Sequence, residues 1–286
     1  MNTVRQWIQR TVERLRSIRR RAPAAPAPPL PPVPSGDAHG RVIGVLNYKG
    51  GTAKTTTVVN VAAGLARRGA RVLCVDLDAQ GGLATWLNVP YTHSLAHLLM
   101  GEAEARECIV QARENLDFIA SDRSLLEAER WLWRVGEQGR HVLAGRMQDV
   151  DEYDYIILDF SPSRSLVGEC GLLYSQEIIV PVAMDYMALV GTRQVVETLK
   201  SVDQAPAHAA RLTLIVPTFY NERQRLDREV IGLLQTHFPG KVADPIRANV
   251  KLSEAPSHGM TIYEYAPRST GAEDYTRLVE RIARGG

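Results

Sequence analysis

The stretch Asn47-Tyr48-Lys49-Gly50-Gly51-Thr52-Ala53-Lys54-Thr55-Thr56 decides the fold, because it joins an apolar strand at residues 42–46 to an amphipathic helix that begins near Lys54. A strand, a glycine-containing loop and a helix form the context that a phosphate-binding loop requires. Gly50 and Gly51 allow backbone N–H groups to turn inward, and the helix N-terminus adds a partial positive charge. Lys54 can reach the β- and γ-phosphates of a nucleotide, and the Thr55 hydroxyl can bind Mg²⁺. Residues 49–56 therefore form a predicted nucleotide site.

The loop departs from the general pattern G-x-x-x-x-G-K-[ST], since Tyr48 and Ala53 occupy its two glycine positions. A second lysine, Lys49, lies five residues before Lys54, and this arrangement resembles the deviant Walker A motif of the ParA/MinD family. In that family the additional lysine reaches across a dimer interface to the phosphates held by the other subunit. The resemblance implies an ATP-dependent homodimer in which Lys49 and Lys54 both act in catalysis. Without further motifs, Lys49 would be an ordinary solvated loop lysine.

A length of 286 residues with 45% hydrophobic content fits one large α/β domain with a tail. Residues 1–22 contain seven arginines and one acidic residue, a charge of +6, whereas the whole chain is +2. The remainder is therefore −4, so any nucleic-acid surface on the folded domain must be a local patch.

The three cysteines, Cys74, Cys108 and Cys170, have no metal-ligand spacing. Reduced thiols in a cytosolic protein are expected, with core packing for Cys74 and Cys170. An iron–sulfur protein of nitrogenase type shares the expected fold, but the sequences around Cys108 and Cys170 do not resemble its cluster ligands. No apolar run suits a transmembrane helix or a secretory signal, so neither is expected.

The chain divides into a predicted basic amphipathic helix at residues 1–22, a Pro/Ala-rich linker at 23–40 and an ATPase domain at 41–286. Apolar side chains at helical spacing define the first segment: Val4, Trp7, Ile8, Val12, Leu15 and Ile18. In the domain, apolar strands are predicted at residues 42–46, 72–77, 116–120, 155–158, 177–180 and 212–216. Helical segments separate most of them, which predicts a doubly wound, mostly parallel sheet.

Ligands of such sheets bind at the carboxyl ends of the strands, where two acidic motifs occur. Residues 75–82 resemble the family's D-x-D-P-Q-G segment, with Ala79 in place of proline. By this resemblance Asp78 orients the water that attacks the γ-phosphate, while Asp76 has a structural role. The alternative is that Asp78 caps the helix expected near Leu83.

A third acid, Asp159, ends the apolar run at residues 155–158, as in a Walker B segment, and is predicted to bind Mg²⁺ with Thr55. The family usually has two prolines after this acid, and Ser161 replaces the first. Residues 185–191 resemble the family's E-Y-F-A-L-x-G segment.

The C-terminal third closely resembles ParA proteins at residues 249–259, a segment that MinD relatives lack. By family geometry, the adenine is expected near Pro217, Thr218 and residues 245–247, beginning with Pro245. ParA dimers bind DNA without sequence preference, which makes basic residues of this region candidates for DNA contact: Arg223, Arg225, Arg228, Arg247, Lys251 and Arg268. For each residue singly, a solvated charged surface is a serious alternative.

The resemblance implies a cytoplasmic, nucleoid-associated ATPase with ATP and Mg²⁺ as cofactors. An ATP-bound dimer would hold nonspecific DNA and position a cargo, and a ParB-like or cargo-adaptor partner would stimulate hydrolysis. A membrane-positioning ATPase of the MinD kind and an iron–sulfur reductase are the alternatives. Residues 1–22 could dock to a membrane or a partner.

Overall fold

The computed structural model describes residues 40–185, 187–202 and 210–285. The predicted basic helix at residues 1–22, and the linker except for Gly40, lie outside the described residues. The domain that follows is a seven-stranded sheet covered by helices on both faces.

The strands of the sheet lie in the spatial order β3-β4-β2-β5-β1-β6-β7. All neighbouring strands are parallel except β3 and β4, which are antiparallel. The expected doubly wound, mostly parallel sheet is therefore confirmed. The strand bounds are β1 Arg41–Val45, β2 Val72–Asp76, β3 Ile109–Arg113, β4 Leu116–Ile119, β5 Tyr155–Asp159, β6 Glu177–Ala183 and β7 Arg211–Thr218.

The helices, like the strands, follow the predicted alternation, and the first begins at Lys54 as predicted. Their bounds are α1 Lys54–Ala66, α2 Gly82–Leu87, α3 Leu95–Met100, α4 Ala105–Cys108, α5 Leu125–Val135, α6 Val142–Arg146, α7 Leu166–Tyr174, α8 Ala188–Val202, α9 Arg225–His237, α10 Val250–Glu254, α11 Ile262–Tyr265 and α12 Thr270–Ala283. Short 3₁₀ turns occupy Gly136–His141 and Ala255–His258. No helix in the described ranges is long and apolar enough to cross a bilayer.

The central strands are buried on both sides of the sheet, which explains their near-continuous apolar sequences. In β1, Val42 faces one hydrophobic core while Ile43 and Val45 face the other. The second core also holds Leu278 and Ile282 of α12, which packs against α1. The C-terminal helix is therefore part of the folded core.

All three cysteines are buried. Cys74 lies in one core, and Cys108 and Cys170 lie in the other. Burial raises the pKa of the Cys108 and Cys170 thiols to about 12, so both are protonated at neutral pH. The expected packing role is confirmed for Cys74 and Cys170.

The carboxyl ends of three strands meet at one edge of the sheet and position the site. Asp76, the last residue of β2, is in register with Asp159, the last residue of β5. The Phe160 amide donates to the Val45 carbonyl over 3.3 Å, which brings β1 and its following loop to the same edge. The phosphate-binding loop and the three acidic residues predicted from the sequence therefore lie together.

Candidate nucleotide site

The loop between β1 and α1 forms an open cradle. A Cβ added at Gly50 or at Gly51 would meet no atom within 4 Å, so the space above the loop is free. Gly51 has a φ of +71°, and Ala53 has a φ of +67° at the position where the general motif has its last glycine. An alanine in this left-handed conformation costs about 1 kcal/mol relative to glycine. The departure from the general motif therefore adds strain to the loop at Ala53.

Side chains from neighbouring elements fix the loop from both ends. Asn47 Nδ2 donates to the Pro181 carbonyl of β6 over 2.8 Å, and its Oδ1 accepts from the Lys49 amide over 2.9 Å. At the far end, Thr218 Oγ1 donates to the Thr52 carbonyl over 3.2 Å. The loop is thus held on β6 and β7 while its two glycines stay exposed.

The N-terminus of α1 and the Lys54 ammonium place positive charge next to the cradle. No described side chain caps this helix, and its first turn has no acidic residue. An anion at the helix N-terminus would supply the missing acceptors. Lys54 is 8% exposed, and its Nζ donates to the Lys49 carbonyl over 3.3 Å, so the ammonium lies inside the loop. Burial lowers the pKa of Lys54, and the Asp159 and Asp78 carboxylates oppose that change.

Asp159 has the burial and the charge expected of a cation ligand. Both carboxylate oxygens are buried, and neither accepts a hydrogen bond of normal geometry from a described residue. Burial raises the pKa of Asp159 to about 7, although the nearby Thr55 hydroxyl and the Lys54 ammonium lower it. An unpaired buried carboxylate is unfavourable, and bound Mg²⁺ would offset that cost. Asp159 and Thr55 therefore fit the predicted metal position.

The other two acids have different environments. Asp76 accepts hydrogen bonds from the Asp78 amide over 2.9 Å and the Leu83 amide over 3.0 Å, which fits the structural role expected for it. Asp78 is half-buried, and its Oδ1 accepts from the Gln80 amide over 3.0 Å. Helix α2 has Gly81 at its N-cap position, so the alternative of Asp78 as a helix cap is wrong. One oxygen of Asp78 remains available to orient a water.

The second lysine of the loop forms an ion pair that the sequence did not reveal. Lys49 Nζ contacts the Asp185 carboxylate, which follows β6. The Lys49 and Asp185 side chains are 39% and 42% exposed, so the pair contributes at most about 1 kcal/mol. In a single chain Lys49 is thus held at its own loop by a weak contact.

A cavity of about 160 Å³ beside the loop is the candidate base site. As predicted, Thr218 lines this cavity. The Pro217 carbonyl accepts a hydrogen bond from the Ile246 amide over 2.8 Å, which joins the predicted segments at residues 217–218 and 245–247. Neither Pro217 nor Pro245 itself lines the cavity. Phe219 does, with a φ of +57° and a half-exposed ring, and no sequence pattern indicated it. The complete lining is Ala53, Thr56, Thr218, Phe219, Ile246, Arg247, Asn249, Leu252, Ser253, Pro256 and Tyr275.

The six basic residues predicted to contact DNA divide into two groups. Arg223 and Arg268 are exposed and form no ion pair with any described residue. The other four are already engaged with neighbours: Arg225 with Glu229, Arg228 with the Glu222 carbonyl, Arg247 with Asp274 and Glu273, and Lys251 with Glu254. The Asp274 side chain is fully buried, so Arg247 has a structural role whether or not it contacts DNA.

Comparisons with known proteins show the family to which the chain belongs. A family model described as an AAA domain matches residues 40–212. The chain is 37% identical over 243 residues to the chromosome-partitioning ATPase Soj of Thermus thermophilus, in an alignment that covers 85% of this chain and 95% of that protein. The chain belongs to the ParA/MinD family of ATPases.

Another relative of this ParA/MinD-family ATPase is the sporulation initiation inhibitor protein Soj of Bacillus subtilis, with 36% identity over 86% of this chain and 100% of that protein. A solved structure with the same fold is cobyrinic acid a,c-diamide synthase from Mycobacterium smegmatis, with a bound ATP analogue and magnesium. It is 28% identical, with a TM-score of 0.74, and covers 86% of this chain and 95% of its own. The prediction of an ATPase with ATP and Mg²⁺ as cofactors agrees with these comparisons.

Proposed function

We propose that this ATPase is an ATP-switched partition or positioning protein whose ATP-bound form is a dimer that holds nonspecific DNA. The observation that carries the proposal is the pairing of Lys49 with Lys54 on one open loop, beside Asp78 and Asp159. Lys54 serves the nucleotide of its own chain. The Lys49 side chain, whose ion pair within the described residues is with half-exposed Asp185, can exchange that carboxylate for phosphates presented by a second subunit.

The site residues have separable roles in this proposal. The α1 N-terminus and Lys54 bind the phosphates, and Thr55 and Asp159 bind Mg²⁺. Bound Mg²⁺ would neutralise charge on the phosphate oxygens. Asp78, next to the α2 turn, orients the attacking water through its free carboxylate oxygen. Gly82 of that turn lies against Thr55, since a Cβ there would be 3.4 Å from Thr55 Oγ1, so the two loops meet at the reaction site.

The DNA surface is proposed to centre on Arg223 and Arg268, whose charges no described acid neutralises. Four further basic residues would add positive electrostatic potential at the border of this DNA surface: Arg225, Arg228, Arg247 and Lys251. Contacts from arginine to phosphate are sequence-independent and weaken steeply with salt, as a nucleoid-holding function requires. Hydrolysis, stimulated by a ParB-like or cargo-adaptor partner, would return the protein to a form that releases DNA.

The cargo is proposed to be a chromosome or plasmid, because two relatives that are more than a third identical to this chain are Soj proteins, one of them named a chromosome-partitioning ATPase. A protein assembly is the other class of cargo. Either role places the protein in the cytoplasm on the nucleoid. A MinD-like membrane role is the alternative, and its support is the arginine-rich, apolar-striped sequence of residues 1–22.

The tail provides a separate test of that alternative. We expect a peptide of residues 1–22 to be largely unfolded in buffer, because an isolated helix of this length is marginal in water. Anionic vesicles should increase its helical circular dichroism, and replacing Trp7 and Leu15 with serine should remove the increase. If the substituted peptide folds on vesicles as well as the parent, the apolar stripe has no membrane role.

The DNA proposal is tested with the full chain and a duplex of arbitrary sequence, measured by fluorescence anisotropy with ATP and with ADP. Arg223→Glu and Arg268→Glu should each weaken the ATP-dependent part of binding and reduce the slope of log affinity against log salt by about one. Arg71→Glu is the matched control, since Arg71 is exposed and precedes β2, at the opposite edge of the sheet. If both variants bind as tightly as the control, these arginines do not form the patch.

A further inference from the structure

Arg164 connects three elements around the ATPase site. It lies in the loop that follows Asp159, five residues after that acid. Its guanidinium carbon is 5.1 Å from the centroid of the Tyr48 ring, within the range of a cation–π contact. Its Nη2 donates to Thr198 Oγ1 of α8 over 3.3 Å. One side chain therefore touches the phosphate-binding loop, the loop after Asp159 and α8.

Tyr48 gives this contact a direct connection to Lys49, which is the next residue. The Tyr48 ring is partly buried and packs against a hydrophobic core, and it also contacts the Arg164 guanidinium. The Lys49 amide is held separately by Asn47 Oδ1. The position of the backbone that carries Lys49 thus depends on Asn47 and on the Tyr48 ring that Arg164 covers.

The loop after Asp159 has little conformational restriction of its own. Pro162 fixes its own φ and biases Ser161 towards extended backbone, whereas Ser163 and Arg164 have no such restriction from the sequence. The Ser161 and Ser163 hydroxyls bond to each other over 3.0 Å on an exposed surface. The contacts of Arg164 with Tyr48 and Thr198 connect this loop to the rest of the site.

We infer that Arg164 is a positioning residue for ATP hydrolysis, which holds the loop after Asp159 in register with the backbone of Lys49. Arg164 acts through Tyr48 and contacts no reacting group. Reaction rates depend on sub-ångström placement more than ground-state binding does. Loss of the contact should therefore lower kcat more than it changes the KM for ATP.

The first test measures Mg²⁺-dependent ATP hydrolysis by the full chain with Arg164→Leu, Tyr48→Leu and the double variant. A cation–π contact at a partly exposed site corresponds to about a two- to fivefold effect, so each single variant should lose about that much in kcat, with KM changed less than twofold. The double variant should lose no more than Arg164→Leu alone, because Arg164→Leu already removes the contact with Tyr48 together with the hydrogen bond to Thr198. Tyr48→Phe, which keeps the ring, should lose less than Tyr48→Leu. Arg193→Leu, an exposed arginine of α8 paired with Glu197, is the control that should match the parent.

The second test is a rescue by Ser161→Pro in the Arg164→Leu background. The Ser161 amide donates no backbone hydrogen bond within the described residues, so a proline at this position removes none. Stiffening the loop should restore at least half of the lost kcat. The inference is overturned if Arg164→Leu has the kcat of the parent, if the losses of the two single variants multiply in the double variant, or if KM rises in place of the kcat loss. If Ser161→Pro alone inactivates the protein, the kcat of the Arg164→Leu/Tyr48→Leu double variant decides the inference. Circular dichroism then shows that the Arg164→Leu and Tyr48→Leu single variants are folded.

Discussion

Replacing Asp159 by asparagine should make the nucleotide-free protein more stable at alkaline pH while abolishing its response to Mg²⁺ and ATP. The folded-state pKa of Asp159 is raised from 3.8 to about 7 because burial disfavours the charged carboxylate by more than Thr55 and Lys54 favour it. Between these two values the folded state binds more protons than the unfolded state. The free energy of unfolding is therefore not reduced by Asp159 below about pH 4, and it falls as the pH rises towards 7 and Asp159 ionises.

The size of this effect follows from the difference in pKa. Each pKa unit corresponds to about 1.4 kcal/mol, so ionised Asp159 destabilises the folded state by about 4 kcal/mol above pH 7. An asparagine amide in the same position leaves donors unsatisfied at a cost of about 1–3 kcal/mol. We therefore expect Asp159→Asn to exceed the parent by about 1–3 kcal/mol at pH 8 and to come within about 1 kcal/mol of it at pH 5.

The assay is urea unfolding of the full chain in EDTA, followed by circular dichroism at pH 5, 6, 7 and 8. The free energy of unfolding of the parent should decline by several kcal/mol more than that of Asp159→Asn across this range. Asp76 remains in both proteins, but Asp159 is one of the charges that raise its pKa, so Asp159→Asn also lowers the pKa of Asp76 and the difference in pH dependence belongs to the pair. At pH 8, Mg²⁺ with ATP should stabilise the parent and leave the variant unchanged. Equal pH dependence in the two proteins would refute the assignment of Asp159 as the uncompensated buried acid.

Two further predictions concern the phosphate-binding loop. Ala53→Gly should raise the free energy of unfolding by up to about 1 kcal/mol, because glycine adopts the φ of +67° without strain. The control, Ala144→Gly inside α6, should lower the free energy of unfolding by about 1 kcal/mol. Urea unfolding midpoints measure both changes, and an equal loss of stability in the two variants would show that Ala53 is not strained. Asp185→Asn should free Lys49 and lower the ATP concentration needed for half-maximal dimerisation by up to about fivefold, the equivalent of about 1 kcal/mol. Light scattering across an ATP titration measures this concentration, with Glu197→Gln on α8 as the control. If Asp185→Asn needs more ATP than the parent, Asp185 supports the dimer.

The parallel core of the fold was predictable because its strands are apolar on both faces. The runs at residues 42–46, 72–77 and 155–158 match β1, β2 and β5 within one residue at each end. Strand β3 was not predicted. It is the antiparallel edge, only partly buried, so its sequence has neither a continuous apolar run nor a clear alternation.

The site was predictable where its residues are close in sequence and was not where they are distant. The phosphate-binding loop and the acids after the strands follow from local motifs. The contacts of Lys49 with Asp185 and of Tyr48 with Arg164 join positions more than 100 residues apart, and a single sequence contains no signal for them. The sequence likewise did not predict that four of the six basic residues proposed for DNA are engaged, three in ion pairs and Arg228 with a backbone carbonyl.

The central claim is an ATP-dependent dimer controlled by Asp78 and completed by Lys49, and its most direct test is size-exclusion chromatography with light scattering in Mg²⁺ and ATP. Asp78→Ala should bind ATP, hydrolyse it slowly and elute as a stable dimer, because only the attacking water loses its partner. Lys54→Ala should lose productive nucleotide binding, and Lys49→Ala should bind ATP yet dimerise poorly. An Asp78→Ala protein that binds ATP and remains a monomer would contradict the claim.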